Sequence, residues 1–217
     1  MPRRKAPEIG EITHVTVRCN NGEFFFDLEN QFDSITSWIN CLPAFFDISI
    51  HHVLFMSNHI HLLITPQSEL IGNAFSYLLT NLSKYLNHSN QRSNHIFGNR
   101  YAPTVIKDER HLANVIRYIY QNPVRAGILQ SPFDYPYSSL GFYVGTTNPM
   151  IFLKPDPTTT AMFKSGLDGR HNWITAISND LDDNDTELMR QCLSRSMFQF
   201  SQKQLQRISK KGSSLVI

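Results

Sequence analysis

Between Glu11 and Cys19 the side chains alternate with period two: Thr13, Val15, Val17 and Cys19 take one side, and Ile12, His14, Thr16 and Arg18 the other. That alternation predicts a strand. Leu28, Phe32, Ile35, Ile39 and Leu42 then recur at helical spacing, with Pro43 expected to close the helix. The Ile-, Val- and Phe-rich stretch from Phe45 to Phe55 predicts a second strand, Met56-Ser57-Asn58 a turn, and His59 to Thr65 a returning strand stopped by Pro66. A second helix is expected from Ile71 to Asn87, with Phe75, Leu78, Leu82 and Tyr85 on its buried stripe. After a polar loop, Tyr101 to Ile106 reads as a strand. Leu112, Val115, Ile116 and Ile119 mark the apolar side of a third helix, which Asn122-Pro123 ends.

The order strand, helix, strand, strand, helix, strand predicts an α+β fold of the split βαβ, ferredoxin-like kind. It implies an antiparallel sheet of four to five strands with helices on one face, to which the third long helix is an addition. From Thr146 to Pro157 the chain turns polar and Pro-rich. Residues 1–145 are therefore expected as the main domain, 146–157 as a linker and 158–217 as a small helical C-terminal extension. Within the extension, Ser201-Gln202-Lys203-Gln204 spells a capping box for a basic helix. The acidic run from Asp180 to Glu187 fails the EF-hand spacing and suits a solvated stretch leading into a helix N-terminus.

A hydrophobic content of 41% against 18% charged residues places the chain among globular proteins. No apolar run approaches a membrane span, and the basic start Met1 to Pro7 is followed by no apolar stretch of the signal-peptide kind. Cys19, Cys41 and Cys192 lie far apart and form no C-x-x-C pattern, which fits a reducing cytoplasm rather than a disulfide framework. The net charge of +2 decides little, but its distribution does. Lys84, Arg92, Arg100, Lys107, Arg110, Arg117 and Arg125 face only Asp108 and Glu109 in their stretch, an excess that attracts a polyanion.

Two motifs carry chemistry. In His59-Ile60-His61 the imidazoles leave the same side of a strand, as two adjacent ligands for a divalent cation, while Ile60, Leu62 and Ile64 fill the core. In Arg117-Tyr118-Ile119-Tyr120-Gln121-Asn122-Pro123, Tyr118 and Asn122 are four apart and share a helix face. Tyr118 can thus offer a phenol one turn from a carboxamide oxygen. Tyr120 lies about 200° around the helix and has Val124 as its own +4 residue. The plainer alternative makes both tyrosines amphipathic core residues with wet hydroxyls. His51-His52 is a second histidine pair, but neighbours on a strand face opposite sides, so these suit surface or stacking roles.

The stretch Val53 to Ile64, with its Met56-Ser57-Asn58-His59-Ile60-His61-Leu62-Leu63 centre, resembles the signature of the HUH single-tyrosine transposases, and among them the REP-associated tyrosine transposases of bacteria. The likeness continues through His95-Ile96-Phe97-Gly98-Asn99-Arg100-Tyr101, through Arg117 to Gly127, and ends at Asp134-Tyr135-Pro136-Tyr137-Ser138-Ser139. It implies an HUH endonuclease fold over about residues 10 to 142, and a set of roles: His59, His61 and Asn122 as ligands of Mg²⁺ or Mn²⁺, and Tyr118 as nucleophile. The implied reaction cuts and rejoins single-stranded DNA carrying hairpin-forming repeats, through a 5′-phosphotyrosine. It needs no nucleotide hydrolysis, and the chain has no P-loop.

The base for Tyr118 is left open between a metal-bound water and His111, seven residues earlier. Arg100, Tyr101, Arg117 and Arg125 are the candidate DNA contacts. The protein is expected in the bacterial cytoplasm, with the nucleoid, as monomer or homodimer. A domesticated nucleic-acid-binding regulator that keeps the fold without turnover is the alternative.

Overall fold

The computed structural model describes residues 5–98, 100–147, 151–211 and 213–215, so the first four residues of the basic start and Asn99 of the family-like motif lie outside the described residues. Four strands, β1 (Thr13–Arg18), β2 (Ile48–Met56), β3 (His59–Pro66) and β4 (Ala102–Val105), form an antiparallel sheet in the order β2-β3-β1-β4. This is the α+β arrangement expected from the order of strands and helices. Between β1 and β2 lie α1 (Leu28–Ile39) and α2 (Cys41–Phe46), and α3 (Ile71–Ser89) joins β3 to β4. Asp27 caps α1 by accepting from the Asn30 amide. Pro43, expected to end a helix, instead sits in the first turn of α2, where its missing N–H costs nothing. The chain leaves α2 through Asp47 at φ +50°.

After β4 come α4 (Glu109–Tyr120), capped by Asp108, then the short α5 (Asn122–Arg125) and α6 (Leu140–Val144). The C-terminal part adds α7 (Pro157–Lys164), α8 (Gly166–Ser178), α9 (Asp183–Leu193) and α10 (Gln202–Lys211). The capping box before α10 forms as read: the Ser201 amide donates to Gln204 Oε1 and the Gln204 amide to Ser201 Oγ. No helix among the described residues is long and apolar enough to cross a membrane.

Alternation along the strands sorts the core into two clusters. Val15, Val17, Val53, Phe55, Ile60 and Leu62 meet Ile35 and Ile39 of α1 and Phe75, Leu78 and Leu82 of α3. These are the helices expected on one face. The other face is covered as well: Leu54 and Leu63 meet Leu112, Val115, Ile116 and Ile119 of α4, and the cluster runs on into Trp173, Ile177, Leu188, Met189 and Ile208 of the extension. Chain segments remote in sequence also cover the sheet edges, where unpaired backbone would invite other strands. Residues 137–139 and 153–154 pair along β2, the second pair lying in the stretch expected as a linker. Met197 pairs with Val105 on β4.

Candidate active site

The register of the sheet builds the site. Thr16 stands opposite His61 and Arg18 opposite His59, so the polar side of β1 and the two imidazoles share the face on which α4 lies. The His59 and His61 rings meet edge to face, 4.8 Å between centroids. Each is oriented from behind. His59 Nδ1–H donates to Asn58 Oδ1, which can only accept, so Nε2 of His59 keeps its lone pair. His61 Nδ1 lies 2.8 Å from His14 Nε2, and its own Nε2 is buried with no hydrogen-bond partner among the described residues. When His61 Nδ1–H is the donor, the orphaned Nε2 is a bare lone pair, the arrangement in which a ring nitrogen binds a cation while the other is held by a neighbour.

Burial, then the Arg18 charge, pushes His59 down to about 4; burial, then the charges of His59, His14, Arg125 and Arg18, lowers His61 well below its ordinary value. Both rings are therefore neutral at neutral pH, the state a metal requires of imidazole. Among the described residues no three His, Cys, Asp or Glu side chains gather as a metal cluster, so a cation here needs a third ligand of another kind.

Helix α4 delivers Tyr118 to this pair. Its ring is 7% exposed and stands edge-on to His61, 6.1 Å between centroids. Just beyond it Pro123 lacks the amide hydrogen that would bond to the Ile119 carbonyl. Asn122 fills that gap: its Nδ2 donates to Ile119 O at 3.1 Å and to Tyr118 O at 2.9 Å. Since the amide nitrogen is spent on the backbone, Oδ1 is the part of Asn122 left to act as a ligand. Two neutral imidazoles, one with an orphaned nitrogen, and the Asn122 carboxamide oxygen are donors of the kind a divalent cation accepts. Arg125 Nη2 also donates to the Tyr118 carbonyl at 3.0 Å, and its guanidinium carbon sits 4.4 Å over the Tyr118 ring.

Other candidates lie elsewhere. The His111 ring packs between Phe198 and Phe200, 5.1 Å from each, about 10 Å along the helix from Tyr118. Burial lowers its pKa there, and the geometry removes it as the base. Arg117 is buried and donates from Nη1 to the Ser214 carbonyl at 3.1 Å and from Nη2 to the Ser214 hydroxyl, so its guanidinium is already engaged within the protein. Tyr101 stacks on Phe75 at 4.4 Å and belongs to the core. Arg100 is exposed in the loop before β4. His14 and Arg18 join the site from the side of β1 that the alternation Ile12, His14, Thr16, Arg18 marks, a signal available in the strand pattern itself.

His51 and His52 are not surface residues. A register shift between Ile50 and His52 turns both inward. His51 bridges the Lys154 carbonyl and Thr65. His52 Nε2–H donates to Asp156 at 2.8 Å and its Nδ1 accepts from the Tyr120 hydroxyl at 2.6 Å.

No family model matches the sequence. A curated relative from Haemophilus influenzae, named "Putative REP-associated tyrosine transposase", is 29% identical over an alignment of 123 residues that takes in 48% of this chain and 70% of the relative. In fold, the chain matches a solved REP-associated tyrosine transposase bound to a REP hairpin, at a TM-score of 0.57 and 18% identity, across 71% of this chain and 92% of the other.

Proposed function

We propose that this chain, a relative of the REP-associated tyrosine transposases, cuts and rejoins single-stranded DNA by linking it covalently to Tyr118. One observation carries the reading: the Tyr118 ring stands against His61, whose second nitrogen is buried and unpartnered among the described residues. A polar atom left that way costs stability, and a site that keeps one is built to receive something. Tyr118 Oη attacks the phosphorus and the bond to the 3′ oxygen breaks. The products are a phosphotyrosine on the 5′ side and a free 3′-OH; the phenol loses a proton to solvent and the leaving oxygen gains one. Rejoining is the reverse attack by a 3′-OH. His59, His61 and Asn122 Oδ1 would hold Mg²⁺ or Mn²⁺, which when bound polarises a non-bridging phosphate oxygen and neutralises its charge. Arg18, exposed opposite His59, supplies charge for the incoming backbone.

The substrate proposed is single-stranded DNA beside a hairpin, by analogy with the hairpin bound in the solved relative. The same closure that buries Tyr118 favours a second reading, a hairpin-binding regulator without turnover. Incubation of labelled hairpin DNA with Mn²⁺, followed by denaturing electrophoresis, separates the two. A covalent band with the wild type that Tyr118→Phe abolishes supports transfer; tight binding with no band under any divalent metal supports the regulator.

A further inference from the structure

Arg125 is one of the candidate DNA contacts, and its side chain lies part-buried against Tyr118. The guanidinium is pinned to Tyr118 twice, through the carbonyl at 3.0 Å and over the ring at 4.4 Å. Its Nη1 is buried with no hydrogen-bond partner among the described residues. No carboxylate forms an ion pair with it among the described residues. An enclosed cation without an anion is expensive to keep, which argues that the fold retains it for an anion that arrives later. A guanidinium also does two things here that an ammonium cannot: it lies flat on an aromatic ring, and it keeps spare N–H groups in a fixed fork for a phosphate.

Resting on the reading of Tyr118 as nucleophile, we infer that Arg125 positions the Tyr118 ring against His61 and receives the phosphodiester anion on its spare Nη1–H. The local chain explains how such a residue came to be fixed. Pro123 breaks the amide ladder, Asn122 and Arg125 recap the freed carbonyls, and both side chains are thereby anchored around Tyr118 by bonds that do not depend on DNA. The nucleophile is held before the substrate comes, which is where positioning contributes most to rate.

The test compares the full-length wild type with Arg125→Lys and Arg125→Gln by three measurements. These are hairpin-DNA affinity, the single-turnover rate of adduct formation at saturating DNA with Mn²⁺, and the ¹⁹F spectrum of 3-fluorotyrosine placed at position 118. Arg125→Lys is expected to slow the adduct step by about 100-fold while affinity stays within about threefold. The fluorine line should shift and sharpen as the ring gains freedom. Arg125→Gln keeps a donor for the Tyr118 carbonyl without charge or stacking fork, and it should be equally slow. Adduct formation at the wild-type rate in either folded variant overturns the inference. So does weaker affinity with an unchanged saturated rate, the signature of an ordinary backbone contact. Should the wild type form no adduct, the transferase reading falls, and the fluorine line alone still decides whether Arg125 holds the ring.

Discussion

Helix α4 carries two tyrosines two residues apart, and each meets a histidine of the sheet. Tyr120, 1% exposed, gives its hydroxyl hydrogen to His52, which in turn donates to Asp156 at the cap of α7. The phenol oxygen lies 2.8 Å from Ser139 Oγ, and Asp156 also accepts from the Thr158 and Thr159 amides. Burial holds the Tyr120 phenol far above its ordinary value, so it remains a neutral hydrogen-bonding group. Tyr118 has the opposite surroundings: among the described residues, His61 keeps an orphaned nitrogen, Arg125 an unpaired N–H, and the guanidinium has no counter-ion. Similar residue types on one helix thus make a saturated cluster and an unsaturated one. The saturated cluster ties the C-terminal part to the sheet; the unsaturated one is where the proposed chemistry is placed.

The sharpest way to break that comparison is to remove each hydroxyl in turn. Tyr118→Phe should abolish the covalent adduct, a loss of more than about 10³-fold, with DNA affinity and melting temperature nearly unchanged. Tyr120→Phe should react within about threefold of wild type yet lose about 1–3 kcal/mol of stability, because it strands His52 Nδ1 in the core. If Tyr120→Phe removed the adduct and Tyr118→Phe kept it, the two clusters would have been assigned the wrong way round.

Next in size is the anchor of the saturated cluster. Asp156→Ala leaves two α7 amides unpaired and His52 Nε2 with only Thr159 Oγ1 at 3.3 Å, and should cost about 3–5 kcal/mol, read as a drop of about 10 °C in Tm. Assayed well below that Tm, the variant should still form adduct at Tyr118.

How much of this was open to the sequence follows from distance along the chain. Alternation marked β1, apolar runs and turn signals marked the other strands, and the strand period placed His59 and His61 on one face, as the sheet has them. These are local rules; helical spacing, likewise local, singled out Tyr118 as the tyrosine one turn from Asn122. What failed involved partners from far away: His111 is packed by Phe198 and Phe200, and Arg117 is held by Ser214. His52 is claimed by Asp156, 104 residues later. Spacing within a motif says which way a side chain points but nothing about which remote segment will cover it. The inward turn of both His51 and His52 needed a bulge that no residue pattern announced.

Acid should separate the clusters by where each titrates. His59 falls from 6.5 in the unfolded chain to about 4 when folded. Between those values the unfolded chain carries a proton the folded one does not, so stability is full above pH 6.5 and declines by about 3 kcal/mol as pH drops to 4. For Asp156, burial pushes the carboxyl up, but hydrogen bonds from His52 and Thr159 hold it below 3.8 overall, so its contribution is lost only in stronger acid. Denaturation midpoints measured across pH should therefore fall less steeply between 6.5 and 4 in His59→Gln, where His61 still contributes, and keep the full slope in Asp156→Ala.

The smallest expected effect is the most direct probe of the orphaned nitrogen. A cation that binds the folded chain and not the unfolded one raises stability by RT ln(1 + [M]/Kd), about 2.7 kcal/mol at a hundredfold excess over Kd. For a chain of this length that is a rise of several degrees in Tm, with no DNA and no turnover involved. Mn²⁺ should produce it in the wild type and in Tyr118→Phe, because the phenol is not among the proposed ligands. His61→Ala should lose it, while His52→Ala should keep the increment on a lower starting Tm, since both nitrogens of His52 are already engaged. An equal Mn²⁺ increment in His61→Ala and wild type would place the cation elsewhere and remove the reason for reading His61 Nε2 as a waiting ligand.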